Sequence, residues 1–438
     1  MDNEDEYAIA LLRRLDDEPS TPSRVDLGRA IIEGGRRRRT RRALGGGGAV
    51  VLVAVMVATV PVALTALRPD PSGPKNQAAE ATAPATGKPA ATRPAPTVAA
   101  PTGCSVQRLP LPDKEPMSLV TGADPTGRFI AGRTYPDKRQ DGYPILIWDN
   151  GVPHRIVLPG ADQALDDINT SGVAVGSGWL DDGPHAYVYR DGKVSPLPAK
   201  GSAEARAIND AGQIVGVRGE AVVGSQPILW PNASAQPVDL PLPGPGWVGQ
   251  VAGIDEDGTV AGVVWEIPRN PGRTESQDPG TPKNPRSGMA RSAGYLWLPD
   301  GSVRELPKPT VQGQPADAFL PRSIRNGWII GNAVSYTENG DQTMTAARFY
   351  LPTNEFVDFP TRAFDPENGN GQGWASGFLP DRRLALLTDT MTVELPFIEP
   401  HKLENGDRAL TMSDDGRIVA GQSEDADNVI QAVVWNCR

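Results

Sequence analysis

The chain has 438 residues, a formal net charge of −10, three histidines and two cysteines, a length that suggests more than one structural region. Its acidity lies beyond Ala43, because Met1–Ala43 carries 10 basic and 9 acidic residues and the remainder 33 and 44. An acidic region with no basic face excludes nucleic acid as a partner, since phosphate binding draws its affinity from counterions displaced by clustered Lys and Arg.

In residues 1–43, Ala8, Leu11, Leu12 and Leu15 fall at helical spacing, and a second short helix is expected from Thr21 as N-cap with Pro22 at its first position. The segment has no His or Cys, which excludes a zinc module, and it is too short to bury a core alone. It reads as a cytoplasmic tail, with residues 4–33 the part available to a cytoplasmic protein partner.

Arg36, Arg37, Arg38, Arg39, Arg41 and Arg42 then precede a stretch without a charged side chain, and Ala49–Leu67 is a nearly unbroken apolar run of 19 residues. About 20 apolar residues cross a hydrocarbon core of roughly 30 Å. The arginine cluster holds its own end in the cytoplasm. Residues 44–67 are therefore expected to be a single transmembrane helix in the lipid bilayer, with the C-terminal part extracellular. The competing reading, a cleaved signal, fits less well, because the run exceeds an ordinary signal core and no small-x-small cleavage site follows. Residues 68–103 are rich in Pro, Ala and Thr and read as an extended, disordered stalk.

From residue 104 the chain repeats. His185 to Val217 (HAYVYRDGKVSPLPAKGSAEARAINDAGQIVGV) shows one unit: an aromatic-rich strand, a D-G turn, a strand ending in Leu-Pro, a loop, a polar turn and a strand between glycines. Leu-Pro recurs at Leu109, Leu158, Leu197, Leu240, Leu306 and Leu395, with Phe359-Pro360 standing in once. The glycine-bracketed strand starts at Gly127, Gly172, Gly212, Gly258, Gly327, Gly373 and Gly416. Aromatic strand ends follow at Trp148, Tyr189, Trp230, Trp297, Tyr350 and Trp435, and the sixth repeat alone lacks one. Short strands, turn chemistry and a period of about 40–50 residues predict an all-β, seven-bladed β-propeller over residues 104–438. The chain ends without a Leu-Pro strand and begins, after the stalk, with one, so strand exchange between the two ends is expected to close the ring. Aligned on the hairpin WDNGVPHRIVLP, Cys437 matches Asn150 and Cys104 matches Pro153, close enough for a disulfide.

The stretch from His185 to Gly216 resembles the HAF-repeat extracellular proteins of bacteria. The resemblance spans about residues 104–437 and is best in the second and third repeats. It implies an extracellular repeat domain and supplies no catalytic residues.

The chemistry-bearing residues form no recognisable constellation. His154, His185 and His401 lie in different repeats, and no G-x-S-x-G or phosphate loop occurs. The acidic turns at Asn209-Asp210, Asp255-Glu256-Asp257 and Asp414-Asp415 have oxygens suited to calcium, though bonding the turn backbone is their simpler use, and no cofactor is expected. Tyr135, Trp179 and Trp265 occupy equivalent places after the glycine strand and are candidates for a ligand mouth. The insertion in blade four, residues 266–292, is a second candidate. The expected function is a non-catalytic binding module for an envelope glycan, peptide or protein. The alternatives are a transmembrane sensor acting through the tail, and a carbohydrate-active hydrolase or lyase using carboxylates in the channel.

Overall fold

The structure, a computed structural model, describes residues 98–113, 115–135, 143–219, 225–267, 291–337, 342–399 and 406–438. The expected cytoplasmic tail, topogenic arginines and membrane helix, most of the stalk and the body of the blade-four insertion lie outside the described residues. Among the described residues every regular element is a strand, and no helix is long and apolar enough to cross a membrane.

The strands form seven four-stranded antiparallel sheets, with a two-stranded hairpin, Thr310–Val311 with Gln314–Pro315, before the fifth. In blades one to seven the inner strands are Met117–Ala123, Ala161–Ile168, Ala203–Ile208, Trp247–Ile254, Ala318–Arg325, Asp365–Gly369 and Arg408–Met412. Each touches the inner strand of the next blade, and the seventh touches the first, so the ring is complete. The molecule is a seven-bladed β-propeller. In the last blade, Arg408–Met412, Ile418–Glu424 and Ile430–Cys437 are joined by Cys104–Arg108 as outer strand. Cys104 lies directly opposite Cys437 and is bonded to it, with an S–S distance of 2.05 Å. This corrects the alignment by two residues. Trp435 opposes Val106 as Trp148 opposes Pro153, so the counterpart of Cys104 is Gly151.

The glycine bracket has two separate causes. Its first glycine sits in the turn between inner and second strands with positive φ, as at Gly212 (φ 78°), a conformation costly for other residues. Its second glycine lies under the inner strand. A Cβ on Gly216 would stand 1.9 Å from the Glu204 carbonyl oxygen, and the same clash recurs in all seven blades.

Blades adhere through apolar faces shared between neighbours. Val173, Val175 and Val188 of blade two, for example, pack with Ile214, Ile228 and Trp230 of blade three. A lone blade would expose both faces to water, which is why the repeat stacks. The Leu-Pro motif supplies a polar stitch to this packing. The buried indoles of Trp148, Trp230, Trp297 and Trp435 donate to the carbonyls of Pro110, Pro198, Pro241 and Pro396, each in the preceding blade, at 2.6–2.7 Å. Blade six lacks the aromatic, and there blade five sends across Arg348, 1 % exposed, which donates to the Gly373 carbonyl at 2.9 Å and pairs with Asp389 at 2.9 Å.

Candidate functional site

The inner strands all deform at the same level. Each has a β-bulge against its second strand, and the extra residues are Thr121, Asp166, Arg206, Ala252, Arg322, Glu367 and Leu410. A bulge leaves one residue out of the ladder and re-aims its side chain. All seven line a central cavity of about 240 Å³. Below them lies a mixed tier in which Gly122, Ala207 and Gly253 stand among the polar Asp167, Ser323, Asn368 and Thr411, and below that a mainly aliphatic tier including Ile168, Ile208, Ile254, Ile324 and Met412. The cavity is thus a well with a polar rim and an apolar waist.

The rim charges are mostly paired. Arg206 bonds Glu204 of its own strand and lies 3.6 Å from Asp166 of the preceding blade. Glu367 accepts from Arg408 Nε at 2.6 Å. Arg322 differs. Its Nε donates to the buried Asn332 amide oxygen at 3.2 Å, Asn332 in turn donates to Asp365 at 3.2 Å, and no described carboxylate stands within ion-pair distance of the guanidinium. The free edge of an exposed, oriented guanidinium therefore faces the well.

Asp166 and Asp167 are both half-buried, and burial pushes both carboxyls up, Asp167 to about 7. In Asp167 one oxygen accepts the Ile168 N–H and the other the Ile208 N–H of the next blade, each at 2.9 Å, and these bonds oppose the rise. Both oxygens thus hold backbone together.

At the turn face Arg325 of blade five bonds Glu256 of blade four and reaches Asp414 of blade seven at 3.2 Å. Because those blades are not neighbours of one another, the side chain lies across the mouth. The acidic turns expected as calcium candidates are engaged with backbone around this ring. The Asp255 oxygens accept from Asn326 and Gly327 N–H at 2.7 and 2.6 Å, Asp210 from Thr170 at 2.9 Å, and Asp414 from Gly371 at 2.9 Å. Among the described residues no group of three or more His, Cys, Asp or Glu is arranged to hold a metal ion.

No family model matches the sequence, and no curated protein matches it. Several solved structures are similar. The β-propeller domain of the trilobed protease from Pyrococcus furiosus is 12 % identical, with a TM-score of 0.46 over 73 % of this chain and 95 % of that one. TolB from Acinetobacter baumannii is 14 % identical, with a TM-score of 0.34 over 54 % and 53 %. Acylaminoacyl peptidase from Pyrococcus horikoshii is 11 % identical, with a TM-score of 0.42 over 73 % and 52 %. The present chain spans about half the length of the last two. These are likenesses of fold.

The aromatic candidates share one face but stand outside the well. Tyr135, Trp179 and Trp265 end second strands opposite Met117, Ala161 and Val248, the starts of inner strands, one strand further from the axis. The Tyr135 ring packs on Tyr143 at 4.5 Å and under the Arg133 guanidinium at 5.1 Å. Sequence reasoning overlooked the bulge residues, although the repeats mark them. Each stands three places before a turn position held by Asp124, Asn169, Asn209, Asp255, Arg325, Asn370 or Ser413.

Proposed function

We propose that the chain is a membrane-anchored, extracellular, non-catalytic binding module whose ligand enters the central well from the rim. The observation that carries this reading is the common bulge: seven strands each turn one side chain out of the ladder and into one cavity. The uncharged, apolar run at residues 44–67 and the flanking arginines support the anchor, and the repeat pattern from His185 to Gly216 supports an extracellular setting. Residues 98–103 enter beside Cys104, at the turn face, so the tether joins the ring on the side away from the rim.

A hydrolase reading has one observation in its favour, the raised carboxyls of Asp166 and Asp167. A general acid needs a proton aimed at substrate. Asp167 has both oxygens committed to backbone N–H groups, and Asp166 faces Arg206, which favours its ionised form. Binding is the better-supported function.

The test is a melting-temperature screen of the purified full-length chain against glycans and peptidoglycan fragments, repeated with Ala252→Trp, which fills the well from its rim. Ligand at 100 times its Kd stabilises the native state by about 2.7 kcal/mol. That stabilisation should vanish in Ala252→Trp and persist in Trp179→Ala/Trp265→Ala. Persistence in Ala252→Trp would remove the well as the site.

A further inference from the structure

Resting on the well as the binding site, we propose that it selects a carboxylate, held by Arg322 at the end of a ligand that enters one residue deep. The rim carries Asp166 and Glu367 against Arg206 and Arg322, and among the described residues each of these except Arg322 has an opposite charge within 4 Å, Arg206 from Asp166 and Glu204, and Glu367 from Arg408. Arg322 is held instead by a neutral partner, Asn332, itself fixed by Asp365, so its guanidinium is oriented without being neutralised. A planar fork with a free edge suits bidentate bonding to a carboxylate.

Three further features narrow the class. Among the described rim residues Arg322 is the one charge without an opposite charge beside it, which matches one negative charge on the ligand. The cavity of about 240 Å³ is smaller than the roughly 300–1,000 Å³ of drug-sized sites, so it takes one sugar or amino-acid residue. Arg325 crosses the opposite mouth, so a chain cannot thread through and must present an end. A carboxylate at a chain end belongs either to a uronic acid or to a peptide C-terminus.

The test is titration calorimetry on the full-length chain with glucuronate, glucuronic acid methyl ester, N-acetylglycylglycine and N-acetylglycylglycine amide. The proposal expects one acid of the two to bind and its uncharged partner to bind at least roughly tenfold more weakly, the loss of a charge-assisted bond. Arg322→Gln should weaken the acid by roughly 10- to 100-fold and leave the uncharged partner unchanged, while Arg322→Lys restores part of the difference. The acid that binds identifies the source. If acid and uncharged partner bind equally and Ala252→Trp abolishes both, carboxylate selection is wrong while the well stands as the site. If Ala252→Trp leaves binding unchanged, the well itself is wrong. Failure of both acids to bind at millimolar concentration overturns the carboxylate assignment, and ligands found in the melting screen then report on the well independently.

Discussion

Replacing Asp167 with Asn tests the electrostatics of the inner ring directly. In the folded state burial holds this carboxyl near pH 7, against 3.8 when exposed. A raised carboxyl binds its proton more tightly in the native state, so its contribution is fully present below about pH 4 and is lost as pH rises through 7. Three units at about 1.4 kcal/mol each set a ceiling near 4 kcal/mol. The side chain is only half-buried, and solvent screening reduces this to about 2 kcal/mol. Blade six shows that an amide fits the position. Asn368 there accepts the Gly369 N–H at 2.8 Å and donates to the Leu410 carbonyl at 3.0 Å, and the counterpart of that carbonyl in blade three belongs to Arg206. Asp167→Asn loses the acceptor of the Ile208 N–H, so it should fall about 1 kcal/mol below the wild type at pH 4.5 and gain about 2 kcal/mol on it between pH 4.5 and pH 8. Urea unfolding followed by tryptophan fluorescence at several pH values measures the difference. Two stability curves that run parallel from pH 4.5 to 8 would refute the reasoning.

Four other outcomes follow from the fold. Cys104→Ser/Cys437→Ser opens a loop with a sequence separation of 333, for which the chain-entropy ceiling is roughly 5–6 kcal/mol, and a loss of about 2–5 kcal/mol is expected in non-reducing urea unfolding. Trp230→Phe removes the indole bond to Pro198 while keeping most of the packing, and should cost about 1–2 kcal/mol by the same assay. Arg348→Met removes the buried ion pair with Asp389 and should cost about 3 kcal/mol, more than the tryptophan change. Deleting residues 2–33 should leave export and ligand binding intact, as surface labelling and calorimetry would show; loss of a ligand-dependent transcriptional response in that strain would assign signalling to the tail.

The propeller was legible because its constraints are local and recur seven times. A turn at Gly212 demands positive φ, and Leu197-Pro198 returns as the acceptor of a neighbouring indole, so steric and hydrogen-bonding needs write themselves into the repeat. The disulfide was legible from the two ends, although a hairpin alignment misplaced Cys104 by two residues because the seam has no turn to count across. The channel rim was harder to read. Its residues differ in every blade, from Thr121 to Leu410, since nothing in the fold fixes what projects into the axis, and a pattern search keeps what repeats. Tyr135, Trp179 and Trp265 stood out because they are large and aromatic, whereas distance from the axis depends on which strand of the blade carries a residue. Arg322 became notable only when its neighbours were known, because being unpaired is a relation in space.

The position of the disulfide also decides how the ring bears load. A pull transmitted along residues 98–103 arrives at Cys104, the first residue of an outer strand that pairs antiparallel with Ile430–Cys437. Without a crosslink, such a pull would peel that strand away one ladder rung at a time, each rung yielding at low force. The Cys104–Cys437 bond sits just inside the Gly103–Arg438 hydrogen bonds, so peeling stops there before the strand is reached. Tension passes instead into the third strand of the blade and, through the Trp435 indole, to its neighbour at Pro396. Tension applied at this edge would in this way be borne without the ring opening.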